Sequence, residues 1–300
     1  MDQAQQLRNI IKANNVAPRP VARVITVTSG KGGVGKSNTS INLAIQFKKM
    51  GQRVIILDAD FGLANIEVMF GAVPKHNLAD LIYQGMGIQD IITWGPNEVG
   101  FISGGSGIAG MSNLNRDNLT YIVQNLAKLD AITDVIIVDT GAGISDAVLE
   151  FLVASGEILL VTTPEPTSIT DSYSLLKALS RHSRFSSDMS QIKVIANKVE
   201  NETEGQALFN KLSRVVERYL KLKIDYLGSV PEDSALSKAV MKQTPVSISS
   251  PTAKSTLAYE KIAQTLMNKE NSQTVKKRGM AAFFSHIVSG KKAQNTTPNQ

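Results

Sequence analysis

From residue 22 to residue 268, short continuous apolar runs alternate with segments of helical period, and the alternation never breaks. The pattern predicts strands over 24–28, 53–58, 99–103, 134–139, 157–162, 191–197 and 224–230. It predicts helices over 37–50, 115–129, 145–155, 168–182, 205–221, 232–243 and 252–268, with shorter helical pieces near 77–84. Runs such as Val135-Ile136-Ile137-Val138 and Ile158-Leu159-Leu160-Val161 carry no polar alternation, as expected of strands covered on both faces. The predicted fold is a three-layer α/β sandwich around a mostly parallel sheet, whose ligands bind at the carboxyl ends of the strands. Residues 1–15 read as a short helix with Leu7, Ile10 and Ile11 on one face, closed by Asn14-Asn15 and the Pro18-Arg19-Pro20 linker. The chain divides into an N-terminal helix and linker (1–20), a main domain (21–268) and a tail (269–300).

The chemistry starts where the first strand ends. Ser29-Gly30-Lys31-Gly32-Gly33-Val34-Gly35-Lys36-Ser37, followed by Asn38, contains G-x-x-x-x-G-K-[ST] between a strand and a helix. Glycines let backbone N–H groups close around phosphates, and the helix N-terminus favours anions. This phosphate-binding loop predicts a nucleoside triphosphate ligand, with Lys36 reaching the β- and γ-phosphates and the Ser37 hydroxyl on Mg²⁺. Two other apolar strands end in carboxylates, Asp58-Ala59-Asp60 and Asp139-Thr140-Gly141-Ala142-Gly143. Mg²⁺ takes oxygen ligands and keeps several waters, so a strand-terminal carboxylate beside the loop suits it, and Asp139 is the candidate. Gly141 and Gly143 would let that loop move when the γ-phosphate leaves, or serve simple turn chemistry. Asn197-Lys198-Val199-Glu200 is close to the N-K-x-D element that reads guanine, but a glutamate replaces the aspartate, which points to adenine.

Composition narrows the class. At 300 residues and 42% hydrophobic content, a sizeable core is expected. With no cysteine, disulfides, thiolate metal sites and iron–sulfur chemistry are excluded, in keeping with a reducing cytoplasm. No stretch approaches the ~18 apolar residues of a membrane span, and the first residues lack signal-peptide character, so a soluble or peripheral protein is expected. His76, His182 and His286 show no metal-ligand spacing. The net charge of +6 is concentrated after residue 268, where six basic residues face one acid, Glu270. A basic segment seeks an anionic surface, either membrane or nucleic acid, and the near-neutral body argues against DNA binding spread over the whole protein, so nucleic acid is not the expected partner.

In the tail, Met280, Phe283, Phe284, Ile287 and Val288 fall at i, i+3, i+4, i+7 and i+8, one helical stripe between Lys276-Lys277-Arg278 and Lys291-Lys292. Such a stripe either packs on the protein's own core or lies in a membrane interface. The basic flanks and the polar stretches on either side favour the membrane, as an amphipathic targeting helix on the inner face of the cell membrane.

GKGGVGKS, with its second lysine Lys31, resembles the deviant phosphate loop of the MinD/ParA ATPases, over about residues 22 to 268. The resemblance implies Mg²⁺-dependent hydrolysis of ATP by an ATP-bound homodimer, with Lys31 crossing to the partner's nucleotide. It also implies Asp58 in the metal shell, Asp60 orienting the attacking water, and Asn197 with Pro231-Glu232-Asp233 framing adenine. Asp233 equally suits the cap of the following helix. Asp2-Gln3-Ala4-Gln5-Gln6-Leu7-Arg8 resembles the D-Q-A-x-x-L-R element of the FlhG (FleN, YlxH) family of flagellar number regulators. That likeness implies stimulation of the GTPase FlhF through Asp2, Gln3, Ala4, Leu7 and Arg8, and work on flagellar basal-body (C-ring) proteins. A MinD-type division-site regulator, a ParA-like DNA-partitioning ATPase and a nucleotide-gated scaffold are the alternatives.

Overall fold

A computed structural model describes residues 21–60, 65–104, 121, 124–272 and 279–294. Eight strands form one sheet: β1 (Arg23–Ser29), β2 (Val54–Ala59), β3 (Thr93–Trp94), β4 (Gly100–Ser103), β5 (Val135–Ala142), β6 (Glu157–Thr162), β7 (Gln191–Val199) and β8 (Asp225–Pro231). Their spatial order is β3-β4-β2-β5-β1-β6-β7-β8. Every pairing is parallel except β3 with β4. β1 is central, so the loop after it opens at the middle of the sheet's carboxyl edge.

The helices are α1 (Lys36–Lys49), α2 (Asn65–Phe70), α3 (Leu78–Tyr83), α4 (Leu129–Ile132), α5 (Asp146–Ala154), α6 (Pro166–Arg181), α7 (Glu202–Leu220), α8 (Ser234–Met241), α9 (Val246–Ser249), α10 (Lys254–Ser272) and α11 (Met280–Gln294). Alternate strand residues divide the core. Ile25, Val27, Ile56 and Ile137 face α1 and α10, whose Phe47, Tyr259 and Ile262 meet them. Val24, Ile55, Ile136 and Val138 face the opposite layer with Leu129, Phe151 and α11, continued under α6 and α7 by Ile158, Leu160, Ile192 and Val194. The three-layer α/β sandwich expected from the apolar runs is the observed fold.

Helix starts differ from expectation where capping decides them. The helix expected from 205 begins at Glu202 because the Asn201 side chain accepts the Glu204 N–H at 3.0 Å. The one expected from 168 begins at Pro166, whose ring suits a first helical position. α10 extends to Ser272, four residues past the expected end of the domain.

The tail departs most. α11 turns its stripe inward: Met280, Phe283 and Phe284 are at most 1% exposed and Ile287 is 5% exposed. Phe283 stacks on Phe151 at 6.0 Å between ring centroids, and Phe284 meets the same ring edge-on at 6.5 Å. Asp130 accepts the Met280 N–H at 2.9 Å, and Arg184 donates to the His286 carbonyl at 2.7 Å. The expectation of a tail isolated from the body is therefore corrected. A stripe of this period buries equally well on protein or lipid, and here an aromatic and aliphatic cluster around Phe151 receives it. The side chain of Val288 and all of residues 1–20, including Asp2, Gln3, Ala4, Leu7 and Arg8, lie outside the described residues. No described helix is long and apolar enough to cross a membrane.

Candidate active site

The phosphate loop is shaped by its glycines and by its neighbours. Gly35 (φ 92°) is the N-cap of α1, in backbone space that side chains rarely enter. At Gly30, an added Cβ would stand 2.2 Å from the Asp171 carbonyl carbon, so only glycine lets the loop lie against α6. The Gly143 N–H donates to the Ser29 carbonyl at 2.9 Å, tying the loop after β5 to the start of the phosphate loop.

Strand register brings the carboxylates together: Asp58 on β2 pairs directly with Asp139 on β5. Lys36 Nζ lies 3.3 Å from Asp139 Oδ1, which also accepts the Ser40 hydroxyl at 2.7 Å. Asp139 Oδ2 is buried and has no hydrogen-bond partner among the described residues. Asp58 accepts the N–H groups of Asp60 at 3.1 Å and Ile66 at 3.3 Å. Burial, and then the adjacent Asp139 charge, push the Asp58 pKa up to about 7 against those donors and the Lys36 charge. Two buried carboxylates served by one ammonium fit a hydrated divalent cation. The expected donors on Ser37, Asp58 and Asp139 are all oxygens, as Mg²⁺ requires. Among the described residues no group of three or more His, Asp or Glu could hold a metal by itself.

Asp60 lies at the rim of this cluster. Its Oδ2 accepts from the Asn65 side chain at 3.4 Å, and its Oδ1 is 3.5 Å from where a Gly141 Cβ would stand. The carboxylate thus faces the end of β5, while Phe61 and Gly62 lie outside the described residues. Lys31 rests within its own chain, its Nζ 2.7 Å from Glu165 Oε2 and 2.8 Å from the Thr167 hydroxyl. The Lys31 ammonium holds the Glu165 carboxyl below its ordinary range.

The residues expected to frame adenine are held by contacts within the chain. Asp233 is the N-cap of α8, accepting the Ala235 N–H at 2.9 Å, and its other oxygen accepts the Ser255 N–H at 3.0 Å and hydroxyl at 2.9 Å. Of its two expected roles, the structure shows the cap. Pro231 ends β8, and the Glu232 N–H donates to the Val199 carbonyl at 2.8 Å. Asn197 is 1% exposed and donates to the Val34 carbonyl at 2.7 Å, behind the phosphate loop.

Sequence reasoning missed Ser40, Glu165 and Thr167. Ser40 is one helical turn beyond Lys36, a spacing that puts both on one face. Glu165 follows the end of β6 as Asp139 ends the apolar part of β5, so the signal that found one carboxylate was present for the other.

Fold and site together define a P-loop ATPase. The ParA family profile, described as "NUBPL iron-transfer P-loop NTPase", matches residues 20–267, and the chain belongs to this family. Iron transfer is that description's property, and this chain has no cysteine to supply thiolate ligands. Solved structures agree on the fold. The septum site-determining protein MinD complexed with Mg-ADP from Pyrococcus horikoshii has a TM-score of 0.65 at 21% identity, covering 86% of this chain and 100% of that one. Among curated relatives, the antiactivator FleN of Pseudomonas aeruginosa is 42% identical over 81% of this chain and 85% of its own length. The flagellum site-determining protein YlxH of Helicobacter pylori is 32% identical over 96% and 98%. The chain is a MinD-like ATPase of the FleN/YlxH group of flagellar number regulators.

Proposed function

We propose that this ATPase cycles between a nucleotide-poor monomer and an ATP-bound dimer on the inner membrane surface, there stimulating FlhF through residues 2–8 and acting on basal-body proteins. The observation that carries this reading is α11, an amphipathic helix with basic flanks whose apolar stripe is shielded against the ATPase body. Membrane binding then requires α11 to leave the Phe151 cluster. One short helix anchors weakly, and two on a dimer bind far more tightly through effective concentration. Lys31, held by Glu165, exchanges this partner for the nucleotide of the second subunit.

In hydrolysis, Lys36 and the loop amides hold the β- and γ-phosphates, and Asp60 accepts a hydrogen bond from the attacking water. Ser37, Asp58 and Asp139 would hold Mg²⁺, which when bound would neutralise phosphate charge.

The surface offered to a basal-body partner is the groove between α6 and α7, about 370 Å³, lined by Ile169, Tyr173, Lys211, Val215 and Tyr219. Helical spacing continues its rims with Lys177 and Arg181 on α6 and Arg214 and Arg218 on α7. Apolar floor and basic rims match an acidic segment carrying apolar anchors.

The test is co-sedimentation with anionic liposomes under ATP and ADP. Wild type is expected to bind with ATP and poorly with ADP. Arg184→Ala, which loosens α11 without touching its lipid-facing stripe, is expected to raise binding under ADP. Absence of liposome binding with ATP sinks the membrane cycle and returns DNA partitioning to consideration.

A further inference from the structure

β7 ends in an irregularity. Its register with β8 shifts between Asn197 and Val199, and Lys198 sits at φ 55°, a left-handed conformation uncommon outside glycine. In a regular strand, successive side chains point to opposite faces. Here both turn to one loop: Asn197 Nδ2 donates to the Val34 carbonyl at 2.7 Å, and Lys198 Nζ to the Gly33 carbonyl at 2.9 Å. The contact is close, since a Cβ at Gly35 would stand 2.2 Å from Asn197 Nδ2.

A trans peptide holds its C=O and the following N–H on opposite sides. Two successive carbonyls drawn toward β7 therefore turn the N–H groups of Val34 and Gly35 away from it, as donors for an anion at the N-terminus of α1. Left to itself, a glycine-rich loop samples many peptide orientations, and ordering them would weaken binding. The left-handed backbone at Lys198 is what brings a second donor to this loop, an uncommon conformation beside a functional site.

We propose that Asn197 and Lys198 form a carbonyl clamp that presets the phosphate-loop amides before nucleotide arrives, with Lys198 as a positioning residue acting through phosphate affinity rather than on the base. The proposal rests on the ATPase assignment and goes beyond it by giving these residues a role away from adenine.

Calorimetric titration of the full chain with Mg-ADP and with inorganic pyrophosphate tests it, alongside thermal denaturation. Lys198→Met is expected to weaken both probes by the same factor, about tenfold for one charged hydrogen bond. Lys198→Arg, which reaches the same carbonyl, is expected to recover most of that loss. Lys198→Gly relaxes the left-handed backbone, so its Tm should hold or rise while both affinities still fall. The proposal is overturned if the methionine and glycine variants bind pyrophosphate like wild type, if only Mg-ADP is weakened, or if affinity falls only in step with Tm. Failure of the ATPase assignment itself looks different: wild type would bind neither probe.

Discussion

At the residue scale, charge decides most of what this protein does. Asp58 and Asp139 sit side by side at adjacent strand ends, with one buried ammonium, Lys36, against Asp139. Lys36→Met removes both the proposed phosphate ligand and the only described cation in that contact. ATP hydrolysis should fall by about 10²–10³, as for loss of a preorganised charge at a transferring group, measured by phosphate release. A second buried cluster lies at the opposite, amino end of the sheet. Glu157 is paired with Arg23 through two 2.9 Å contacts and with Lys193. Burial pushes the Glu157 carboxyl up, but the Arg23 and Lys193 charges and hydrogen bonds more than offset this and hold it below the ordinary range. A depressed folded-state pKa contributes stability that is complete above the unfolded value, ~4.3, and is lost as pH falls through the folded value. Glu157→Gln should cost about 3–5 kcal/mol near neutrality. In urea titrations the gap to wild type should persist to about pH 4.5 and narrow below it. A constant gap from pH 7 to pH 3 would remove the triad as its cause.

At the element scale, two helix faces have opposite fates. The α11 stripe is buried, while the α6–α7 groove stays open with Tyr219 63% exposed. Arg218 lies over the Tyr219 ring at 5.4 Å, keeping a cation at the rim. Lys211→Glu places a carboxylate on that rim. It should weaken capture of an acidic, apolar-anchored basal-body segment by about tenfold or more, because it adds repulsion as well as removing attraction. Basal ATP turnover, set at the far loop, serves as the control for folding. Equal capture by wild type and variant would exclude this groove as the docking surface.

At the scale of the whole molecule, the tail belongs to the folded body. Ending the chain at Ser272 uncovers the cluster around Leu129 and Phe151, which α11 covers. Removing the buried Phe283 and Phe284 alone corresponds to about 3–5 kcal/mol per ring. The truncated protein should therefore lose thermal stability and aggregate, read by calorimetry and light scattering. A truncation with unchanged Tm would mean that the docked helix contributes little to the body.

The sequence by itself determined the layered α/β fold, because buried parallel strands must be apolar on both faces and their crossovers must be helical. It determined Gly30–Ser37, Asp58 and Asp139 as well, because a phosphate loop and a strand-ending carboxylate are local patterns with local causes. Tertiary structure decided what depends on partners distant in sequence. It gave the Asp233 carboxylate to a helix cap and Ser255, set Asn197 and Lys198 on the phosphate-loop carbonyls, and gave Lys31 a resting partner in Glu165. It also decided the tail: period alone defines an apolar stripe, and whether lipid or protein covers it depends on the cluster that the rest of the chain assembles around Phe151.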